Sequence, residues 1–287
     1  MRSAIRQLLN QSLVREVVRR ALEEDIGTGD LTSRALFADE RRTARAVIVA
    51  KEEGILAGLP VAEFAFRELD ARLAWKSKKS DGDPVRRGEI VVELRGRLEA
   101  ILMAERVALN FLQRMSGIAT LTRRFVERTR GYRTKILDTR KTAPGLRILD
   151  KYSVRAGGGS NHRFGLFDGV LLKDNHIRVA SGVGEAVRRG RLHAPPGIQV
   201  EVEVTTLAEV NEALAAGADI LLLDNMTAKT MKEAVRRVGH RAIVEASGGI
   251  RLENLREVAA TGVDWISVGA LTHSVRALDL SLEVVSA

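Results

Sequence analysis

The chain has 287 residues, a net charge of +9, 45% hydrophobic residues and no cysteine. This length allows one large domain or two ordinary ones with buried cores, and the composition excludes disulfides and thiolate metal sites. No low-complexity tract indicates disorder, no apolar stretch follows a basic start, and no window reaches the roughly 18 apolar residues of a membrane span. We therefore expect a cytoplasmic protein without a membrane partner.

The basic charge raises the alternative of a nucleic-acid-binding protein, because basic surfaces release counterions from phosphate backbones. However, only 4% of the residues are aromatic, and no zinc finger or RNP-like motif occurs. Much of the arginine alternates with glutamate on predicted helices such as Val14–Glu24, a pattern typical of solvated helix faces. We therefore expect no nucleic-acid partner.

The first half of the chain has a mixed α+β pattern. A helix is predicted at Ile5–Glu24, and strands are predicted at Ala44–Ala50 and Glu89–Leu94, the second of them between turn-forming residues. From Leu98 to Arg130 apolar residues recur near helical spacing, which predicts one long helix or two in series broken near Gly117.

From Lys135 onward, short apolar strands alternate with amphipathic segments of helix length. The candidate strands are Lys135–Leu137, Gly169–Leu172, Gln199–Val204, Ile220–Leu223, Ala242–Val244 and Trp265–Val268. Alternation of this kind predicts a parallel sheet. A weaker additional strand inside Ala143–Arg163 is left open.

A polar residue lies at or just beyond the end of each of these strands. The residues are Asp138, Lys173, Glu203, Asp224, Glu245 and Ser267. A parallel barrel gathers the carboxyl ends of its strands on one face, where its active site is built. An open doubly wound sheet would bring a glycine-rich turn after its first strand, and neither GxGxxG nor GxxxxGK[ST] occurs. The pattern therefore favours a parallel α/β barrel.

The segment Leu137–His176 predicts a site for a strongly anionic ligand. It is mostly non-periodic and contains seven Lys/Arg and two His. Long unpatterned loops inside compact domains are usually functional. The side chains of Arg140, Lys141, Arg163 and Lys173 suit carboxylate and phosphate oxygens. The alternative is a solvated basic loop.

Two small-residue turns, Ser247-Gly248-Gly249 and Val268-Gly269-Ala270, follow the last two strands. Barrels often bind phosphate at this position through backbone N–H groups. The alternative is that these turns serve only as tight connections.

Two acids are expected near these turns, and a third shares a strand with one of them. Glu203 and Asp224 follow consecutive strands, and a pair of carboxylates beside phosphates is explained if Mg²⁺ bridges them or if they hold sugar hydroxyls. Glu201 shares a strand face with Glu203, so it is either a third acid inside the barrel or an ion-pair partner of Lys173. A structural salt bridge is the alternative for each acid.

Together these features describe a ligand with several phosphates, a sugar, a divalent cation and a second anionic group. Phosphoribosyl pyrophosphate with a carboxylated acceptor fits this description. The spacing alone does not select it from other sugar phosphates.

Several long motifs resemble those of the quinolinate phosphoribosyltransferase family. They are LDTRKTAPGLR, DKYSVRAGGGSNHRFGLFDGVLLKDNHI, VEVEV, LLLDN, EASGGI and GVDWISVGALTHS, and the resemblance extends to EEDIGTGDLTS and AERVALNFLQRMSGIAT in the first half. The resemblance implies an incomplete TIM-like α/β barrel in residues 113–287. It also implies an N-terminal α+β domain, an open sandwich, in residues 1–112. Whether the C-terminal tail packs back on that domain is left open.

The resemblance also implies a homodimer in which residues 1–112 contribute Arg106 to the partner's active site, a higher oligomer being left open. Quinolinate would be bound by Arg106, Thr139, Arg140, His162, Arg163 and Lys173. Phosphoribosyl pyrophosphate would be bound by Lys141, Ser247, Gly248, Gly249, Ser267, Val268 and Gly269. The implied catalytic residues are Lys141, Lys173, Glu203 and Asp224. Mg²⁺ would be the cofactor, held by Glu203 and Asp224 directly or through water.

The implied reaction is phosphoribosyl transfer to quinolinate with decarboxylation, which gives nicotinate mononucleotide, pyrophosphate and CO₂ in NAD biosynthesis. The role of His162 is left open between a proton donor to the carbanion and a carboxylate ligand. The alternatives are a molybdate-transport-associated relative of the same fold and a nicotinate phosphoribosyltransferase.

Overall fold

The structure, a computed structural model, describes residues 12–37 and 42–286. The predicted helix Ile5–Glu24 therefore begins outside the described residues. The helices are α1 Ser12–Ile26, α2 Leu31–Phe37, α3 Leu59–Leu69, α4 Leu98–Arg128, α5 Arg147–Ala156, α6 Asp174–Val179, α7 Val183–His193, α8 Leu207–Ala215, α9 Ala228–Val238, α10 Leu255–Ala259 and α11 Ala270–His273. The strands are β1 Thr43–Ala50, β2 Gly54–Ile55, β3 Ala74–Ser77, β4 Pro84–Val85, β5 Ile90–Arg97, β6 Lys135–Leu137, β7 Val170–Leu172, β8 Val200–Val204, β9 Ile220–Asp224, β10 Ile243–Ser247, β11 Trp265–Ser267 and β12 Leu280–Ser286.

The chain divides into two compact units. The first is drawn from residues 1–123, 142–158 and 274–287, and the second from 124–141 and 159–273. The predicted domains, 1–112 and 113–287, have simpler bounds. The difference arises because the first unit extends to residue 123 and because two later segments, 142–158 and 274–286, also make their contacts within it.

The first unit contains an antiparallel sheet in the order β12-β1-β5-β3. In β1 burial alternates at first, with Ala44 and Ala46 buried and Thr43 and Arg45 exposed, and from Ala46 to Ala50 the strand is buried on both faces. The edge strand β12 pairs with β1 from Ala50 opposite Leu280 onward. This pairing shows how the C-terminal tail packs within the first unit.

Helix α4 runs without a break through Gly117. A Cβ atom at this position would lie 2.2 Å from the carbonyl oxygen of Arg276. The glycine therefore permits close backbone packing within the first unit, and the alternative of two helices broken at this residue is wrong.

A buried ion pair lies within the same unit. The Asp150 carboxylate is fully buried and accepts two hydrogen bonds from Arg114, at 3.0 Å from Nε and 2.9 Å from Nη2. It also accepts the Ala143 amide at 3.0 Å. Since this geometry satisfies several lone pairs, it offsets the cost of burying the charge.

The second unit contains a parallel sheet in the order β6-β11-β10-β9-β8-β7. These six strands are the ones predicted, and α8 and α9 lie between consecutive strands, where amphipathic segments of helix length were predicted. Ser160 adds a single parallel bridge to Leu137 beside β6, at the place where a weaker strand was left open. In the described residues no pairing joins β7 to β6 or to Ser160, so the barrel is incomplete.

Helix α8 shows how sequence fixes an element boundary in this unit. The Thr206 hydroxyl accepts the Glu209 amide at 3.2 Å, and the Glu209 carboxylate accepts the Thr206 amide at 3.1 Å. This reciprocal capping box ends the β8 loop and starts the helix.

Among the described residues, no helix combines the length and apolar character that a membrane span requires.

Candidate active site

A cavity of about 1050 Å³ lies at the carboxyl ends of the parallel strands of the second unit. Its walls include every predicted site residue of this unit: Thr139, Arg140, Lys141, His162, Arg163, Lys173, Glu203, Asp224, Ser247, Gly248, Gly249, Ser267, Val268 and Gly269. The strand order brings these residues together, because parallel strands all end on the same face.

Arg106 is not among the residues that line this cavity. It lies on α4 in the first unit, and 59% of its side chain is exposed. Its guanidinium lies 3.8 Å from the carboxylate of the adjacent Glu105.

At the cavity wall, Lys173 Nζ lies 2.6 Å from Glu203 Oε1. Strand register explains this pair, because Leu172 of β7 is opposite Val202 of β8 and the next residue of each strand is then adjacent. The alternative of Glu201 as the partner of Lys173 is therefore wrong. The lysine side chain is 46% exposed, so the pair faces the cavity and a ligand carboxylate can compete for it.

Glu201 instead belongs to a cluster in the barrel interior, which we call the interior cluster and define as His162, Glu201 and Glu245. Nε2 of His162 lies 3.1 Å from a Glu201 carboxylate oxygen and 3.7 Å from a Glu245 oxygen. Both acids are buried. Glu201 is thus a third acid inside the barrel, which is the first of the two alternatives given for it.

The pKa of Glu245 is raised to about 7 in the barrel interior. Burial is the main cause and the charge of Glu201 adds to it, while His162 and the Ser267 hydroxyl act in the opposite direction. Glu245 therefore exchanges its proton near neutral pH. The sequence predicted Glu245 at or just beyond the end of its strand. In the structure Glu245 lies inside β10, two residues before the strand ends.

The ring of His162 is held on its other side by the backbone. Its Nδ1 accepts the Arg163 amide at 2.8 Å, and its own amide donates to Asp138 at 2.9 Å. Asp138 is fully buried and also accepts the side-chain amide of Asn161. Asp138 therefore fixes the segment that follows the Ser160 bridge.

Two guanidinium groups share part of the cavity wall. The pKa of Arg163 is lowered by its burial and, next, by the positive charge of Arg140. Arg163 Nη1 donates to the Gly169 carbonyl at 2.8 Å. Because the two cations repel each other, a ligand that brings more than one negative charge relieves a repulsion already present in the free protein.

The turn after β10 has the backbone that a phosphate cradle requires. Gly248 and Gly249 have φ values of +86° and +63°, and a Cβ on Gly248 would lie 2.2 Å from Oδ1 of Asn225. Asn225 itself has a positive φ of 53°. Asn225 was not predicted as a site residue. The signal that could have identified it is an asparagine directly after a strand-end acid, since asparagine tolerates a positive φ better than most residues do.

The turn after β11 leads into the short helix α11. The hydroxyl of Thr272 donates to the Lys141 carbonyl at 2.8 Å, and a Cβ on Gly269 would lie 3.0 Å from the Lys141 side chain. Glycine at position 269 therefore leaves room for the lysine side chain beside the turn. The hydrogen bond from Thr272 fixes the backbone of Lys141.

Glu203 and Asp224 present carboxylate oxygens to the same cavity, and Asn225 donates to Asp224 at 3.0 Å. Hard oxygen donors of this kind fit Mg²⁺, which usually takes one or two carboxylates and keeps several waters. The interior cluster also has metal-ligating residue types. Its histidine, however, meets the Arg163 amide at Nδ1, whereas a ligating histidine normally donates its other N–H to an acceptor.

Comparison with known proteins assigns the chain to a family. Residues 118–283 match the family domain described as "Quinolinate phosphoribosyl transferase, C-terminal domain". Residues 30–116 match the N-terminal domain of the same family. The chain belongs to the quinolinate phosphoribosyltransferase family. Both domains of the family are thus present, in the order that the sequence motifs implied.

Individual members of the family match over nearly the whole chain. The protein is 46% identical to a probable nicotinate-nucleotide pyrophosphorylase (carboxylating) of Bacillus subtilis, over 96% of this chain and 95% of that one. It is 43% identical to a mitochondrial quinolinate phosphoribosyltransferase (decarboxylating) of Nicotiana tabacum, over 94% and 82%.

Solved structures of the family confirm the fold. A nicotinate-nucleotide pyrophosphorylase of Francisella tularensis superposes with a TM-score of 0.90 at 44% identity, covering 95% of this chain and 96% of that one. The human nicotinic acid phosphoribosyltransferase has a TM-score of 0.62 at 13% identity, so it shares the fold alone.

Proposed function

We propose that the protein transfers the phosphoribosyl group of phosphoribosyl pyrophosphate to quinolinate and decarboxylates the product. The products are nicotinate mononucleotide, pyrophosphate and CO₂, which makes the protein a pentosyltransferase of NAD biosynthesis. One structural observation supports this most strongly: a single cavity brings together the cations Arg140, Arg163 and Lys173, two glycine turns and the carboxylates of Glu203 and Asp224. The family relationship supports the same reaction.

The acceptor subsite is formed by Thr139, Arg140, His162, Arg163 and Lys173 in this proposal. Quinolinate carries two carboxylates and nicotinate carries one. The mutual repulsion of Arg140 and Arg163 therefore favours quinolinate, since only the dianion supplies a charge to each guanidinium. This observation also argues against the alternative of a nicotinate phosphoribosyltransferase.

The donor subsite is formed by Lys141 and the turns Ser247-Gly248-Gly249 and Ser267-Val268-Gly269. Glycine backbone N–H groups approach phosphate oxygens closely, and Lys141 adds a positive charge. Glu203 and Asp224 would hold Mg²⁺, directly or through water. When bound, Mg²⁺ supplies charge that stabilises the leaving pyrophosphate.

The chemistry proceeds in two stages. The pyridine nitrogen forms a bond to the anomeric carbon while the bond to pyrophosphate breaks, and Glu203 and Asp224 favour the cationic ribose that develops. Lys141 and Lys173 stabilise negative charge on the phosphate and carboxylate groups. The ribosylated ring then accepts the electron pair left when CO₂ departs, and a proton completes nicotinate mononucleotide.

A homodimer belongs to the proposal, with Arg106 of each subunit completing the acceptor subsite of the other. Its exposed guanidinium, whose nearest carboxylate belongs to the adjacent Glu105, is suited to bind a further carboxylate oxygen. The cytoplasmic location and the lack of a nucleic-acid partner stay predictions from the sequence.

The test is an assay for nicotinate mononucleotide and CO₂ with purified protein, phosphoribosyl pyrophosphate, Mg²⁺ and either quinolinate or nicotinate. We expect both products with quinolinate and none with nicotinate. Lys173→Ala should reduce turnover at least about 100-fold, because one acceptor charge is lost. The matched control is Lys229→Ala, an exposed lysine on α9. Product from nicotinate, or no product from folded protein, contradicts the proposal.

A further inference from the structure

The interior cluster determines which nitrogen of His162 carries the proton. Nδ1 faces the Arg163 amide at 2.8 Å, and a backbone N–H can only donate. In the neutral ring Nδ1 is therefore the bare nitrogen, and Nε2 carries the proton. That proton points at Glu201, whose carboxylate oxygens lie 3.1 and 3.3 Å from Nε2.

Both ring nitrogens of His162 are thus engaged with the protein. The ring is 90% enclosed, since only 10% of the side chain is exposed. A histidine that delivers a proton to a substrate must present an N–H to it within hydrogen-bond reach. In this arrangement the only N–H of the neutral ring is directed into the barrel interior, so the ring is poorly placed for that role.

The same arrangement suits a role in positioning Arg163. The backbone of Arg163 is fixed by its amide on His162 Nδ1, and its guanidinium is fixed by the bond from Nη1 to the Gly169 carbonyl. If the His162 ring turned, the first of these two attachments would be lost. Glu201 prevents this rotation by accepting the proton on the opposite nitrogen.

The second acid of the interior cluster contributes less to this hold. Glu245 lies 3.7 Å from Nε2, beyond good hydrogen-bond distance. Burial raises the pKa of Glu245 to about 7, so this acid is only partly ionised at neutral pH. Glu201, at 3.1 Å, is therefore the acid that accepts the hydrogen bond from Nε2.

We propose that Glu201 is a positioning residue of the acceptor subsite: it holds the His162 ring so that Nδ1 fixes Arg163, and His162 is not the proton donor to the carbanion. This inference rests on the proposed function and gives His162 a role other than the two left open for it, that of positioning Arg163.

The first test is the ¹⁵N NMR spectrum of the histidine rings in the full-length protein, with the His162 signals identified by their loss in His162→Gln. We expect the Nε2–H tautomer in the free protein. The Nδ1–H tautomer would overturn the inference whether or not the protein uses quinolinate.

The second test compares Glu201→Leu with Glu201→Gln. Leucine removes the acceptor, so we expect the KM for quinolinate to rise about tenfold, the range seen when a partner that orients a ligand-binding side chain is lost. The kcat and the KM for phosphoribosyl pyrophosphate should stay within about twofold. Glutamine retains an oxygen that accepts from Nε2–H, so Glu201→Gln should restore a KM near that of the wild type.

A fall in kcat at unchanged KM in Glu201→Leu would instead indicate that His162 delivers the proton. Glu185→Leu on α7, where the acid pairs with Arg188 and Arg189, is the control for a Glu→Leu change outside the barrel. If Glu201→Leu does not fold, the NMR result and the kinetics of Glu201→Gln decide: a Glu201→Gln variant with raised KM overturns the inference. If the wild type does not use quinolinate, the proposed function fails. The tautomer of His162 is measured without substrate, so its result shows separately whether this inference fails.

Discussion

Glu245 is an acid enclosed by the barrel interior, and its titration has a consequence for stability. Its pKa is about 7 in the folded protein against about 4.5 in the unfolded chain. Between these values the folded state binds more protons than the unfolded state, so stability falls as pH rises. The contribution is full below about pH 4.5 and is lost through about pH 7, at a cost of about 3 kcal/mol.

Glu245→Gln should therefore flatten the pH dependence of the unfolding free energy. Glutamine resembles the protonated acid and does not titrate, while His162, Glu201 and Glu203 around it are unchanged. Urea unfolding at pH 5, 6, 7 and 8 measures the effect, with Glu185→Gln on α7, outside the barrel interior, as the control. An unchanged slope between pH 5 and 8 would show that Glu245 does not titrate in this range.

Asp224 is predicted to act on the donor and the metal, and not on the acceptor. Asp224→Asn replaces a carboxylate oxygen with an amide that binds Mg²⁺ weakly. We expect the KM for phosphoribosyl pyrophosphate and the Mg²⁺ requirement to rise at least about tenfold, with the KM for quinolinate within about threefold. Steady-state kinetics with each reactant varied in turn measures this. The reverse pattern would assign Asp224 to the acceptor.

At the scale of elements, the turn after β10 connects backbone conformation to ligand binding. Gly248→Ala forces a Cβ into the left-handed region and against Asn225, whereas Gly249→Ala meets the same backbone strain with no atom within 4 Å. Each change should cost about 1–2 kcal/mol of stability from strain alone. Gly248→Ala should additionally raise the KM for phosphoribosyl pyrophosphate by about tenfold or more, because Asn225 and the turn must move.

Thermal unfolding and kinetics on the two variants separate strain from displacement. The comparison is informative because both glycines have positive φ and only one has a close neighbour. Equal effects of the two substitutions on the KM would remove the role assigned to the Asn225 contact.

The strands and helices of the second unit were predictable because each carries its own signal. Apolar runs such as Ile220–Leu223 are buried on both faces, and the order of the strands alone brings Lys173, Glu203 and Asp224 to one cavity. The sequence could not decide between one long helix and two broken near Gly117, because the reason for the glycine is the carbonyl of Arg276, a residue distant in sequence.

The interior cluster could be predicted only in part. Alternation along β8 placed Glu201 inside the barrel, but its partner depends on how deep each side chain lies and how the His162 ring turns. Neither quantity has a local sequence signal. The bounds of the first unit have the same origin, because the pairing of β12 with β1 is a contact across the length of the chain.

At the scale of the whole molecule, the proposed dimer predicts complementation between inactive variants. Arg106→Ala and Lys173→Ala each remove a group from every active site. If Arg106 acts across subunits, a hybrid dimer has one site with both defects and one intact site. Mixing equal amounts with subunit exchange should then restore about a quarter of wild-type activity, since half of the dimers are hybrids.

The control for complementation is a mixture of Lys173→Ala with Glu203→Ala. Both of these residues line the same cavity of one chain, so every site of a hybrid keeps a defect. No recovery with Arg106→Ala, under conditions in which subunits exchange, would place Arg106 in its own subunit's site or outside the site.

The pairing of β12 with β1 also has a consequence for synthesis on the ribosome. Strand β1 emerges early, but its partner on one side, Leu280–Ser286, is translated only after all of residues 159–273. The barrel strands can therefore pair while one edge of β1 is still open, although chains usually fold from the N-terminus onward. Until translation reaches β12, that open edge can recruit strands from other chains, so the nascent protein is exposed to aggregation throughout the synthesis of the second unit.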